Sequence, residues 1–209
     1  MAAALSHAEA WSGDNVMAHL NQASATIDCQ SLDAPLNTLA YADQQVRREW
    51  EQQLHNPAAT AQEKTDLQNR WTIVDADNLK ALKDIIRTCG WPTSKAASHS
   101  AWLLSQHADR DIAFQKQARD LLEASVKAGT GAARDLAYLA DRIAVAEDRP
   151  QEYGTQFTLS DECHMQMSPI DSLEKANARR HAIGLPSVEE YEAEGRRHFI
   201  AASCPAQVN

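Results

Sequence analysis

Residues 132–147 read AARDLAYLADRIAVAE, and their spacing points to the class of the whole chain. Leu136, Leu139, Ile143 and Val145 recur close to the helical period, so an α-helix would turn them largely inward. Gly129-Thr130-Gly131 stands before the run and Pro150 after it, so both ends carry local stop signals. Asp141-Arg142 interrupts the apolar pattern and reads as an ionic pair embedded in the helix. Charges are costly to bury unless paired, so this pair is expected either to lock the fold or to face a cavity.

The same punctuation recurs on both sides of this helix. Upstream, a helix is expected from Leu36 to about residue 55, stopped by Asn56-Pro57, because proline disfavours helix in the residue before it. A second is expected from Thr60 to Cys89, with a break near Thr72 to Asp75, closed by Gly90-Trp91-Pro92. Ser94 can cap a third over 95–108, and the acids of Asp109-Arg110-Asp111 a fourth over 111–128. Downstream, Tyr153 to Leu159 and Cys163 to Met167 change to an alternating pattern and predict a short β-hairpin. Two further helices are expected over 171–183 and 187–200, separated by Gly184-Leu185-Pro186-Ser187. The predicted fold is mainly α: one helical domain over 36–200, of six or seven helices, with one hairpin near 153–167. Residues 1–35 are expected to be a loosely ordered lead-in, and 201–209 a tail.

The 209 residues are 44% apolar and 23% charged, which argues against a disordered chain. The formal charge of -9 repels phosphate backbones, so nucleic acid is not an expected partner. No stretch is apolar for long enough to span a bilayer. Cys29, Cys89, Cys163 and Cys204 form no CxxC pair and are expected as buried thiols. Residues 1–10 resemble the end of a signal peptide, although a basic n-region and a full apolar run are missing. A periplasmic or secreted location is preferred to a cytoplasmic one, and export would allow two disulfides in any of three pairings.

Polar side chains set where a bundle would normally be apolar mark the candidate site. Gln106-His107 ends the third helix, one turn after Leu103 and Leu104, where an imidazole can serve as general acid or base or cap the helix C-terminus. His99 lies about 12 Å away along the axis, too far to share a metal with His107. Gln151, Tyr153, Thr155 and Gln156 surround Gly154, where a ligand or another backbone could approach closely. Asp43 and Arg47, four apart, suit an i,i+4 pair of the kind usually found on a surface. Arg179-Arg180-His181 is expected on a solvated face. No metal or cofactor is expected from these residues, and the usual phosphate, zinc-protease, hydrolase-elbow and calcium motifs are absent.

Taken in order, Asp43-Gln44-x-x-Arg47, Asp77-Asn78, Gly90-Trp91-Pro92-Thr93, Ala101-Trp102-Leu103-Leu104-x-Gln106-His107-Ala108-Asp109, Phe114-Gln115, Leu136-Ala-Tyr-Leu-x-Asp141-Arg142, Gln151-x-Tyr153-Gly154-Thr155-Gln156-Phe157, Pro169-Ile170-x-Ser172 and Arg179-x-x-x-Gly-Leu-Pro resemble a bacterial domain family of unknown function. The resemblance covers about residues 36 to 195. The resemblance implies shared polar positions at His107, Asp141, Arg142 and the Tyr-Gly-Thr-Gln string, and brings no reaction with it. Ser172 departs from the acid often found there.

Two expectations follow. In the first, His107 is a general acid or base, Asp141 orients its ring, and Gln106, Arg142, Gln151, Tyr153, Thr155, Gln156, Asp43 and Arg47 contribute to holding a small polar molecule or peptide in hydrolysis or proton transfer. In the second, the chain is a non-catalytic binding or inhibitor-like module of the cell envelope whose polar core specifies the fold. The first requires these residues to converge on an open cleft; oligomeric state is not legible.

Overall fold

The computed structural model describes residues 27–200 apart from 55 and 162, together with Cys204. The signal-like start and most of the expected tail lie outside the described residues. Helix α1 spans Asp33–Leu54, α2 Ala61–Cys89, α3 Lys95–Gln106, α4 Ile112–Lys127 and α5 Ala133–Ala146. A hairpin of β1 (Phe157–Asp161) and β2 (His164–Met167) follows, then α6 (Leu173–Ala182) and α7 (Val188–Phe199). The mainly α, single-domain architecture agrees with the sequence pattern. No helix among the described residues is long and apolar enough to cross a membrane.

Local chemistry sets the helix limits. Thr60 and Glu63 form a reciprocal capping box at the start of α2, and Ser187 with Glu190 repeats it on α7. Ser94 and Asp111 accept backbone N–H groups at the starts of α3 and α4. Gly90 ends α2 at φ 75°, a conformation that side chains with a Cβ rarely adopt. The break expected near Thr72 does not occur. The Thr72 hydroxyl donates to Gln68 O within the helix, and α2 runs uninterrupted through Trp71 and Asp75.

The core is the seam between helices. Leu36 and Leu39 of α1 meet Leu82, Ile85 and Ile86 of α2 and Ala101 and Leu104 of α3. Phe114 and Leu122 of α4 and Leu139 and Ile143 of α5 continue it. Each fully buried aliphatic side chain contributes about 1.5–3 kcal/mol relative to exposure. Ordered structure begins before Leu36: Leu32 is buried, Ile27 packs on the core, and α1 starts at Asp33.

The cysteines overturn the expectation of buried thiols. Cys29 is joined to Cys89 and Cys163 to Cys204. The first bridge pins the segment before α1 to the end of α2, and the second pins the hairpin to the chain beyond α7. The bridged pairs are 60 and 41 residues apart in sequence, so both remove substantial loop entropy from the unfolded chain in the chain-entropy account.

Candidate functional site

The end of α3 is built to present His107. Gln115 of α4 donates its side-chain amide to Ser105 O (3.2 Å), which also accepts from the Ala108 amide, and to Gln106 O (3.1 Å), both carbonyls of the last turn of the helix. His107 is the C-cap, Ala108 is buried, and Asp111 N–H closes the turn on Ala108 O. The imidazole is thereby held between α3 and α4, facing α1, with a side-chain exposure of 17%.

Its partner is Asp43. His107 Nδ1 lies 2.8 Å from Asp43 Oδ1, a contact across 64 residues of sequence. Arg47 donates to the same oxygen at 2.7 Å, and Gln44 Nε2 donates to Oδ2 at 2.9 Å. Asp43 is 1% exposed and Arg47 17%, so Asp43–Arg47 is a largely buried pair and not the surface pair expected from its spacing. Arg47 reaches on to Asp75 of α2 at 3.0 and 3.3 Å, and Trp71 Nε1 donates to Asp75 at 2.8 Å. The Arg47 guanidinium also lies 4.8 Å from the centre of the Trp71 ring. The result is a continuous chain, His107–Asp43–Arg47–Asp75–Trp71, joining α3, α1 and α2.

This chain borders a cleft of about 660 Å³. His107, Trp50, Trp71, Thr72, Asp75 and Asp109 line it, with Gln68, Asn69 and Arg110 among the remaining lining residues. His107 Nε2 makes no hydrogen bond among the described residues. Those residues hold no group of three or more His, Cys, Asp or Glu placed for a metal ion.

Asp141 stands elsewhere. Its carboxylate accepts from the amides of Glu152 (2.8 Å), Tyr153 (3.1 Å) and Thr155 (3.0 Å) and from the Thr155 hydroxyl (3.0 Å). The expected pairing of Asp141 with His107 is therefore not made; the loop consumes Asp141. Burial pushes the Asp141 carboxyl above the usual carboxylate range, against the pull of these hydrogen bonds. Asp141 and Arg142 are not an ion pair either. Arg142 points the other way, donating to Asp109 at 3.0 Å and to Gln156 Oε1 at 3.2 Å. Through Asp109 this arm touches the cleft wall.

The Gln151–Gln156 segment is a structural loop; β1 begins only at Phe157. Gln151 is fully buried, accepting from the amides of Thr155 and Gln156 and donating to Gln156 O and Ser168 O. Thr155 is buried, and Tyr153 is half-buried, with its phenol pKa raised by burial and then by the Glu152 charge. Gly154 adopts φ 64°, and a Cβ there would meet Ile170 Cδ1 at 2.9 Å. Arg180, expected on a solvated face, is 0% exposed and donates to Tyr153 O, Gly154 O and Pro186 O. The loop thus lies between a buried anion holding its amides and a buried cation holding its carbonyls. Gln106 is buried but is not a lining residue of the cleft.

Of the sequence candidates, the fold brings His107, Asp43 and Arg47 together; Arg142 and Gln156 reach their edge through Asp109; Asp141, Gln151, Tyr153 and Thr155 form a separate cluster. Asp75, Trp71 and Trp50 were not expected at the site. The one local signal was the four-residue spacing of Trp71 and Asp75, which puts both on one helix face.

A family model matches residues 11–195. The chain belongs to DUF6624, a family of unknown function. The DUF6624 match begins well before the first motif block at Asp43 and takes in every helix of the core. No curated protein and no solved structure matches the chain.

Proposed function

We propose that the cleft is an active site in which His107 acts as general acid and base on a small polar molecule or peptide. The observation that carries this is the contact of His107 Nδ1 with buried Asp43 while the same ring lines an open cleft. Asp43 also accepts from Arg47, which makes the carboxylate the acceptor and His107 Nδ1 the donor. Nε2 then carries the lone pair, the arrangement in which a carboxylate fixes tautomer and ring orientation for proton transfer. Arg47 and Asp75 are positioning residues, holding Asp43 from the side away from the ring. None of the hydrogen bonds of the described residues ties a Ser, Thr or Cys side chain to His107, so hydrolysis by direct attack of water fits best. Nε2 takes the proton from water as its oxygen bonds to the reacting carbon, then returns it to the leaving group as that bond breaks.

The test is a panel of chromogenic esters, amides and glycosides, assayed with the parent chain, His107→Gln and Asp43→Asn. Turnover of one class is expected, lowered about 10²- to 10⁴-fold by His107→Gln with the fold retained. No turnover, or turnover indifferent to His107, removes the proposal. The fold-specifying alternative describes Asp141, which is sealed, better than His107, which is not.

We also propose a periplasmic or secreted location. Both disulfides support it, because such bridges persist in oxidising compartments. Alkylation of the native chain should find no reactive thiol; four free thiols in protein taken from cells would favour the cytoplasm.

A further inference from the structure

We infer that the cleft takes a zwitterionic ligand, a free amino acid or the end of a short peptide, with its ammonium towards Asp75 and its carboxylate on Arg110. The inference rests on the reading of this cleft as the substrate site, and its support is the distribution of charge around the walls. On the helical side, Arg47 alone serves two carboxylates, Asp43 and Asp75. The other donor to Asp75 is the neutral indole of Trp71. With His107 in the neutral form that a general base requires, this wall keeps one surplus negative charge.

The facing loop has the opposite surplus. Asp109 is matched by Arg142. Arg110, next in the chain and also lining the cleft, is exposed and makes no ion pair or hydrogen bond among the described residues. One unspent negative charge and one unspent positive charge therefore sit on different walls of a single cavity that contains His107. A ligand bearing only an anion leaves the Asp75 wall uncompensated, and one bearing only a cation leaves Arg110 unused. A zwitterion answers both. Asp75 keeps acceptor capacity for a further donor, since its side chain is 27% exposed and a carboxylate has about four lone-pair sites. Trp50 and Trp71, edge to face at 6.0 Å, give an apolar surface for a side chain. The volume of about 660 Å³ lies in the range of small-ligand sites.

The experiment is a titration of the ¹⁵N-labelled chain, read at the Trp71 indole N–H that donates to Asp75. The probes are leucine, leucyl-leucine, N-acetylleucine and leucinamide. Leucine or leucyl-leucine should bind at least about tenfold more tightly than either singly charged derivative. Arg110→Ala should remove that advantage while leaving leucinamide unaffected, and Asp75→Asn should leave N-acetylleucine unaffected. Whichever zwitterion binds better distinguishes a free amino acid from a peptide end. Equal binding of the singly charged probes, or no response to any probe, overturns the inference. Because Arg110 is exposed, its variant keeps the test valid even if Asp75→Asn disturbs Arg47. Zwitterion-selective binding without His107-dependent turnover would defeat the catalytic reading alone; His107-dependent turnover of a ligand lacking the charge pair would defeat this inference alone.

Discussion

Asp43 and Asp141 are both almost wholly buried carboxylates on core helices, yet they serve different ends. Asp141 spends its acceptor capacity on three backbone amides and a hydroxyl of one loop. Asp43 is held by side chains, and one of them, His107, opens onto a cleft. A carboxylate that gathers backbone amides fixes a chain path. One that gathers an imidazole and a guanidinium fixes the ring from one side and leaves its far side facing the cleft, while the guanidinium is carried on to Asp75. The burial is alike; the partners separate a structural anchor from a candidate site.

The sharpest way to break this contrast is to remove Asp141. Asp141→Ala strands the Glu152 and Tyr153 amides and the Thr155 hydroxyl, while the Thr155 amide keeps Gln151, and leaves the Arg180 side of the loop without its counterpart, so a loss of about 3–5 kcal/mol is expected. At roughly 2–4 °C per kcal/mol for a chain of this size, the thermal midpoint should fall by about 6–20 °C. A fall of only a degree or two would show that the loop does not depend on Asp141. Gly154→Ala is expected next, at about 1–3 kcal/mol, because the left-handed backbone and the close Ile170 contact are both violated. Urea unfolding of the pair would rank them.

His107→Ala should cost less, about 1 kcal/mol or under, since Asp43 keeps its bonds from Arg47 and Gln44. Calorimetry decides: a loss matching that of Asp141→Ala would make His107 a structural residue as well. The smallest effect concerns pH. Burial pushes both Asp135 and Asp141 above the usual carboxylate range, although His99, 2.8 Å from Asp135, pulls its carboxyl down. For a group whose folded pKa is raised, the stability contribution is complete below the unfolded value, about 3.9, and is lost as pH rises through the folded value. The parent chain should therefore lose stability relative to Asp135→Asn as pH climbs from about 4 towards neutrality. A difference between the two chains that is flat across that window, followed by thermal melts, would remove the burial argument for Asp135.

The helices were legible because their signals are local. Apolar spacing, Pro57, Gly90 and the capping Ser94 and Ser187 each act within a few residues, and the observed limits lie within about three residues of those expected. The hairpin start was misplaced because Tyr153 to Gln156 alternate like a strand while the amides of Glu152, Tyr153 and Thr155 turn inward to Asp141, a partner eleven or more residues back in the chain. The His107 partner was not legible for the same reason on a larger scale. Asp43 is 64 residues away, and helix periodicity cannot choose between it and Asp141. Arg180 looked solvated because its neighbours are, and only the packing of α6 against the loop buries it.

The most direct test is long-range ¹H–¹⁵N NMR of the His107 ring, which reports the protonated nitrogen of the neutral imidazole. The account expects the proton on Nδ1 in the parent and in Asp141→Asn, with Nε2 bearing the lone pair, and loss of that preference in Asp43→Asn. A ring protonated on Nε2 in the parent, or one whose tautomer changes with Asp141 and ignores Asp43, would contradict it.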